Sequence, residues 1–399
     1  MARQISLEDG GKTWGMEVCG PMLFADPATN NVVADRADGK GQLQRAGEVW
    51  QGRLPNSIHV ANTALEWGGV RWTMVAWPLP TDSRERAQLL GHECYHRIQP
   101  ALRLPANDAL NTHLDGMQGR IWVLLEWRAL ERALAERGEA RKNAVADAVR
   151  FRQYRRSLIK SAAESENRLE MNEGLAEYTG VRLANSQEPD RRAASIFMLR
   201  DGPRRSSLVR SFAYVSGPAY GVLLDESGVV WRKTLSPSSD FGVILSKAYR
   251  VGMDRPDENS ALSAARRYDG DAIMASENLR AQRMEKELAE MRRRYMEGPV
   301  LTLPALNEFS FGFNPNGLVP LNENAVVYRS LRVSDLWGVL DASSGMIVRE
   351  NGLIQRVVVP APKVTSGTKL AGDNWKLDLK PGFELRRGER VGDWIVEKE

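Results

Sequence analysis

The segment Leu90-Gly91-His92-Glu93-Cys94-Tyr95-His96-Arg97 constrains this 399-residue chain more than any other, because its flanks make it helical and its content commits it to a chemistry. Asp82, followed three residues later by Glu85, is a capping-box-like helix start, and Gln99-Pro100 is the stop. At about 100° per residue, His92 and His96 fall within roughly 40° of each other on one face, with Glu93 beside them. Two imidazoles one turn apart can bind one metal ion. The adjacent glutamate can then hold and deprotonate a metal-bound water, whose pKa zinc lowers from about 15.7 towards 7. The chain has only four histidines, His59, His92, His96 and His113, so this arrangement arises by chance in well below about one per cent of such compositions. His59 and His113 read as structural or surface histidines, with a second hydrogen-bond donor in the cleft as their alternative role. Cys94 lies about 200° from His92, on the opposite helix face, and reads as a buried core thiol.

A zinc hydrolase needs a third protein ligand and one position left open for water. The segment Leu169-Glu170-Met171-Asn172-Glu173-Gly174-Leu175-Ala176-Glu177 supplies the candidate. Glu173 and Glu177 are one helical turn apart and share a face. Glu173 is therefore expected to bind the metal, and Glu177 to accept the Nδ1 hydrogen bond of a ligating histidine, which fixes the tautomer and orientation of the ring. An ordinary helix with two like charges at this spacing is the plain alternative.

The run Asn172-Glu173-Gly174-Leu175-Ala176-Glu177-Tyr178 resembles the third-ligand segment of the gluzincin metallopeptidases, which include thermolysin-like enzymes. The likeness is above all to the aminopeptidase N-like branch, which carries Asn-Glu-Gly-aromatic-Ala-acid-Tyr after its His-Glu-x-x-His helix. The resemblance implies one zinc ion at His92, His96 and Glu173, with Glu93 as general base. It also implies that Tyr214, in Phe212-Ala213-Tyr214-Val215-Ser216-Gly217, corresponds to a tyrosine that hydrogen-bonds the developing oxyanion. Ser216 stands where that branch has lysine, and Tyr220 competes for the role. Two features set the chain apart. Between His96 and Glu173 lie 76 residues, far more than the branch's short spacer, and its amine-recognition motif Gly-x-Met-Glu-Asn is missing, so aminopeptidase specificity is not implied.

Around this centre the texture of the chain changes three times. Residues 57–80 alternate β-like runs about Gly68-Gly69, which predicts an antiparallel ribbon. Residues 72–77 are the nominated edge strand to which an extended peptide would add. Helical spacing follows, including residues 139–166, whose Arg, Lys and Ala content reads as a solvated or partly exposed helix, and residues 260–295, which read as one long amphipathic helix. After Gly298-Pro299, short β-like runs alternate with turn signals. The expected fold is α+β: a zincin-like catalytic domain, made of an N-terminal antiparallel sheet and a helical lobe, followed by a C-terminal all-β module. Its expected parts are residues 1–80 as the β-rich portion of the catalytic unit, 81–250 as the zinc-binding helical lobe, 251–298 as a helical connector and 299–399 as the β module.

With 42% hydrophobic and 27% charged residues and a formal charge of +4, the chain has neither the composition of a disordered protein nor the charge of a nucleic-acid binder. No apolar run reaches the length of a membrane span. The expected function is a zinc-dependent metallopeptidase acting on a peptide or protein substrate. The alternatives are a non-catalytic zinc-binding protein whose β module binds a partner, and a zinc hydrolase of non-peptide amides or esters. Compartment and oligomeric state stay open; the chain is extracytoplasmic if a leader has been removed.

Overall fold

Gly68 and Gly69 adopt φ of 60° and 75°, the left-handed pair that a tight hairpin demands, and the computed structural model pairs Thr63–Trp67 with Val70–Ala76 in antiparallel register. The structure describes residues 1–55, 58, 60–104, 106, 109, 111–253, 257–313 and 318–399. His59 and part of the nominated ribbon lie outside the described residues. The chain is mixed α and β and forms two compact units, Met1–Glu277 and Asn278–Glu399.

In the first unit, helix α1 (Ala2–Asp9) precedes strands β1 (Met22–Ala25), β2 (Asn31–Ala34), β3 (Gln44–Ala46), β4 (Val49–Arg53), β5 (Thr63–Trp67) and β6 (Val70–Ala76). Their order in the sheet is β3-β4-β2-β1-β6-β5. The sheet is mixed rather than antiparallel throughout, because β1 runs parallel to β6. The expected edge also moves: β6 is interior, and β5 is the outer strand. The cause is visible in the side chains. Trp72 and Met74 bury into a cluster with Leu23, Val32 and Trp67, while Val75, on the opposite face, packs with Leu90 and Cys94 of the following helix. A strand covered on both faces reads as a continuous apolar run and sits inside a sheet.

The helices of this unit are α2 (Ser83–Ile98), α3 (Met117–Ala135), α4 (Gly138–Ser157), α5 (Ala162–Leu169), α6 (Leu175–Ala184), α7 (Glu188–Asp201), α8 (Ser211–Glu226), α9 (Phe241–Tyr249) and α10 (Glu258–Ala265). The chain leaves the unit within α11 (Gly270–Arg292). Residues 260–295 are not one helix, since Asp269, at φ 56°, separates α10 from α11. Asp82 caps α2 as its sequence implies, its carboxylate accepting from the backbone N–H of Arg84 and Glu85. Cys94 is not a free thiol: it forms a disulfide with Cys19. The bond fastens the N-terminal segment to the back of α2, where Trp14 packs on Tyr95 and donates to Thr179 at 3.0 Å.

The largest departure is α4. Arg141, Arg152 and Arg155 are buried rather than solvated, because each faces carboxylates from other elements. Arg152 meets Glu170 at 2.8 Å, Glu126 at 3.3 Å and Asp240 at 3.3 Å. Arg155 pairs with Glu166 through two bonds of 2.9 and 2.8 Å and also meets Glu126. Arg156 reaches Glu166 at 2.7 Å and Asp240 at 2.6 Å. His113 Nε2 adds a contact to Glu166 at 2.8 Å, and the Tyr220 hydroxyl donates to Glu126 at 2.6 Å. Periodicity sees only the charges on α4 and cannot see the partners 10 to 88 residues away.

The second unit carries its own core of Leu301, Leu303, Trp337, Leu340, Ile347 and Leu377. Its strands run from Val300–Pro304 to Trp394–Lys398, and Ala325–Asp335 and Gly338–Glu350 are long strands of 11 and 13 residues, not short ones. They form a hairpin that begins at the Asp335–Gly338 pair. The buried Asp335 carboxylate accepts from the backbone N–H groups of Leu306 and Glu308 and so ties the preceding loop to this turn.

Burial alone would raise the Glu166 carboxyl, but the guanidinium groups of Arg155 and Arg156 outweigh it and hold it well below the ordinary carboxylate range. A depressed carboxyl contributes stability that is complete above its unfolded pKa and is lost as pH falls through the folded one. Glu166→Gln should destabilise the chain by about 3–5 kcal/mol at neutral pH, since it leaves buried cations uncompensated. In denaturant titrations the gap between wild type and variant should be constant above pH ~5 and shrink below pH ~4. A gap independent of pH would contradict the ionised pairing.

Candidate metal centre

Helix α2 can present His92 to its neighbour only because the two backbones come close. A Cβ on Gly91 would lie 3.0 Å from Gly180 Cα, and one on Gly180 would lie 2.5 Å from Gln88 O, so neither position admits another residue without displacing α6. This contact sets Glu177 against His92: Glu177 Oε2 lies 2.6 Å from His92 Nδ1, and Gln88 Nε2 donates to Glu177 Oε1 at 2.6 Å. At the far end of α2, Arg71 donates to the carbonyl of Arg97 at 2.8 Å, a cation on the negative pole of the helix.

Glu173 arrives on a π-helical turn, Glu170–Gly174, between α5 and α6. Such turns are rare and concentrate at functional sites. Its Oε2 lies 3.3 Å from His92 Nε2 and 3.6 Å from His96 Nε2, and the two Nε2 atoms are 3.2 Å apart. One donor atom from each of His92, His96 and Glu173 thus falls within 4.8 Å of the others. The other oxygen of Glu173 accepts from Asn172 Nδ2 at 3.2 Å and Arg210 Nη2 at 3.4 Å.

His92 Nδ1 faces a carboxylate, so it carries a hydrogen, and its Nε2 is the atom left to meet a cation. His96 Nδ1 faces Gln99 Oε1 at 3.0 Å, which likewise turns Nε2 towards the cluster. Two ring nitrogens and one carboxylate oxygen therefore converge on one point. Burial would lower the His92 imidazole, yet Glu173 and Glu177 outweigh it and push it up to about 10. In the same field, His92 and His96 overcome burial and hold Glu173 far below the usual carboxylate range. Both shifts describe a buried site that draws positive charge, and the N, N, O donor set fits zinc.

Glu93 lies beside this cluster, with Oε1 4.0 Å from His92 Nε2. Its Oε2 is buried without a hydrogen-bond partner among the described residues, and burial pushes its carboxyl up. Tyr214 stacks on His92, ring centroids 5.5 Å apart and planes 10° apart. Burial and then Glu173 push its hydroxyl above the ordinary phenol range, and Arg210 pulls the other way. Tyr220 is buried against Glu126 and Ser216 bonds the carbonyl of Phe212, so neither reaches the cleft. His113 is engaged with Glu166.

A cleft of about 1270 Å³ opens over these residues. The start of β5, Thr63 and Ala64, lines one side, and Ala193, Ala194, Phe197 and Met198 of α7 line the other. The roles of Gln88, Gln99 and Arg210 are absent from the sequence reading. Gln88 and Gln99 had a visible signal, since they stand four residues before His92 and three after His96 on one helix face. Arg210 had none. Compared with known proteins, the chain matches no family model, no curated protein and no solved structure, so the chemistry of the site is drawn from its own atoms.

Proposed function

We propose that the chain is a zinc-dependent metallopeptidase built on a zincin-like catalytic domain. The observation that carries this reading is the convergence of His92 Nε2, His96 Nε2 and Glu173 Oε2 beside Glu93, whose Oε2 has no hydrogen-bond partner among the described residues, on the floor of a cleft. His92, His96 and Glu173 would hold one zinc ion, and three protein ligands are the number a catalytic site uses. When bound, zinc supplies Lewis acidity, polarising a carbonyl and making water a nucleophile near neutral pH.

The protein's own groups do the rest. Glu93 takes a proton from the attacking water and returns it to the leaving amine, two transfers for which a free, poorly solvated carboxylate oxygen is suited. Glu177 and Gln99 keep the two imidazoles turned inward. The Tyr214 hydroxyl donates to the developing oxyanion.

The cleft favours an extended peptide. The outer edge of β5 has no partner strand among the described residues, and its free backbone groups can pair with a substrate main chain. Across from it, Ala193, Ala194 and Phe197 form the face of α7 opposite the buried Ser195 and Leu199, an apolar wall for side chains. The Cys19–Cys94 disulfide supports residence in an oxidising compartment. No helix among the described residues is long and apolar enough to cross a membrane.

Glu93→Gln should keep one zinc per chain by elemental analysis and lose peptide hydrolysis by about 10²–10⁴-fold, the usual worth of a general base. Full activity in that variant excludes the mechanism. A mixed peptide library, digested with and without chelator, should yield chelator-sensitive cuts; cleavage of small esters alone would redirect the assignment to non-peptide substrates.

Glu173→Ala should strip zinc from the chain, whereas Glu188→Ala, at an exposed surface ion pair, should leave the metal content unchanged. Glu170 cannot serve as that control, because it is buried against Arg152. Equal zinc in the two variants would remove Glu173 from the ligand set.

A further inference from the structure

Resting on the zinc reading above, we infer that Gln99 and Asn172 form a directional amide relay through which the Glu173 carboxylate dictates the tautomer of His96, making both amides positioning residues for the metal. The relay is a chain of three hydrogen bonds. His96 Nδ1 lies 3.0 Å from Gln99 Oε1, Gln99 Nε2 donates to Asn172 Oδ1 at 2.9 Å, and Asn172 Nδ2 donates to Glu173 Oε1 at 3.2 Å. Gln99 and Asn172 are 2% and 3% exposed, so bulk water does not compete for these groups.

Only one orientation satisfies all three bonds. An ionised carboxylate accepts and never donates, so Asn172 must turn its NH₂ to Glu173. Its carbonyl then faces Gln99, which must answer with its own NH₂. The Gln99 carbonyl is left facing His96, and the ring nitrogen there must carry the hydrogen. In the neutral ring this leaves Nε2 as the bare nitrogen, on the side that faces His92 Nε2 and Glu173 Oε2. Flipping either amide sets oxygen against oxygen or N–H against N–H. The orientation of each amide, ordinarily ambiguous, is fixed by the charged end of the chain.

The relay differs from the support given to His92, where a carboxylate touches the ring directly. His96 instead receives its instruction from another ligand of the same ion. Gln99 caps the end of α2 and Asn172 sits on the π-turn, so the relay also joins the two segments that carry the ligands. A shift of the π-turn thus reaches the Nδ1 side of His96 through Gln99, as well as the Nε2 side through Glu173 Oε2.

The experiment uses the full-length chain with ¹⁵N-labelled histidine. Imidazole ¹⁵N NMR before zinc loading reports the tautomer of His96, and chelator competition reports zinc affinity. Wild type should show a hydrogen on His96 Nδ1. Gln99→Leu should give mixed tautomers and weaken zinc by about 10- to 100-fold, the usual effect of removing a ligand's hydrogen-bond partner. Asn172→Ala separates a relay from simple contact, because Asn172 is not the residue bonded to His96 Nδ1: it should disturb the His96 tautomer in the same way. A wild-type ring with its hydrogen on Nε2 and a bare Nδ1, or an unchanged His96 spectrum in Asn172→Ala, overturns the relay. A wild-type chain that binds no zinc removes the metallopeptidase reading instead, while the tautomer measurement still decides the relay; tight zinc in wild type with equal affinity in Gln99→Leu removes the relay's part in metal binding and leaves the metallopeptidase reading in place.

Discussion

The ion lattice between α4 and its surroundings is the constraint on which the rest of the first unit depends. Three guanidinium groups, those of Arg152, Arg155 and Arg156, are shared among Glu126, Glu166, Glu170 and Asp240, and Arg152 also lies 5.2 Å over the ring of Tyr220. A buried charge without a partner costs several kcal/mol, so the lattice is tolerable only when complete. That requirement is what makes it specific. Glu126 comes from α3, Glu166 from α5, Glu170 from the π-turn and Asp240 from the start of α9, and all must arrive together. The lattice thereby closes the 76 residues between His96 and Glu173 into one body and returns the third donor to the helix that holds the first two.

Local signals carried a good part of this into the sequence. The cap at Asp82, the two-glycine hairpin and the pairing of His92 with His96 are decided within a few residues, and the structure places each where local chemistry puts it. What was illegible depended on partners far along the chain. The arginines of α4 look solvated until Glu126 and Asp240 are beside them. The interior place of β6 follows from its parallel neighbour β1, some 50 residues earlier, and Cys94 looks like a core thiol until Cys19 meets it, 75 residues away. Helix α7, a wall of the cleft, had no strong periodic face to announce it, because its outward side is as apolar as its inward one.

The candidate centre depends on both faces of α2. Its front holds His92, Glu93 and His96, and its back is pinned by Cys94 to Cys19 and by Tyr95 to Trp14. Buried contact on the back costs the front nothing, since about 200° separate Cys94 from His92. Sideways, the glycine contact with α6 permits a carboxylate to reach the first imidazole directly. The second imidazole lies nearer the helix end, beyond that close approach, and is served by amides from the cap and the π-turn. The difference between the two histidines is thus a consequence of where the helices touch.

The π-turn reconciles the lattice with the centre. Glu166, Glu170, Glu173 and Glu177 stand at spacings of four, three and four, which on an uninterrupted α-helix would range four carboxylates along one face and set them against one another. The wider turn at Glu170–Gly174 rotates the second pair away from the first. Glu166 and Glu170 then face arginines, and Glu173 and Glu177 face imidazoles. Gly174 stands at the turn's end, where a Cβ on Gly217 of α8 would meet its carbonyl at 2.4 Å, so α8 presses directly on the turn. A single helical stretch therefore faces two sets of partners, arginines on one side and imidazoles on the other, and the irregularity between them is what keeps the two from competing.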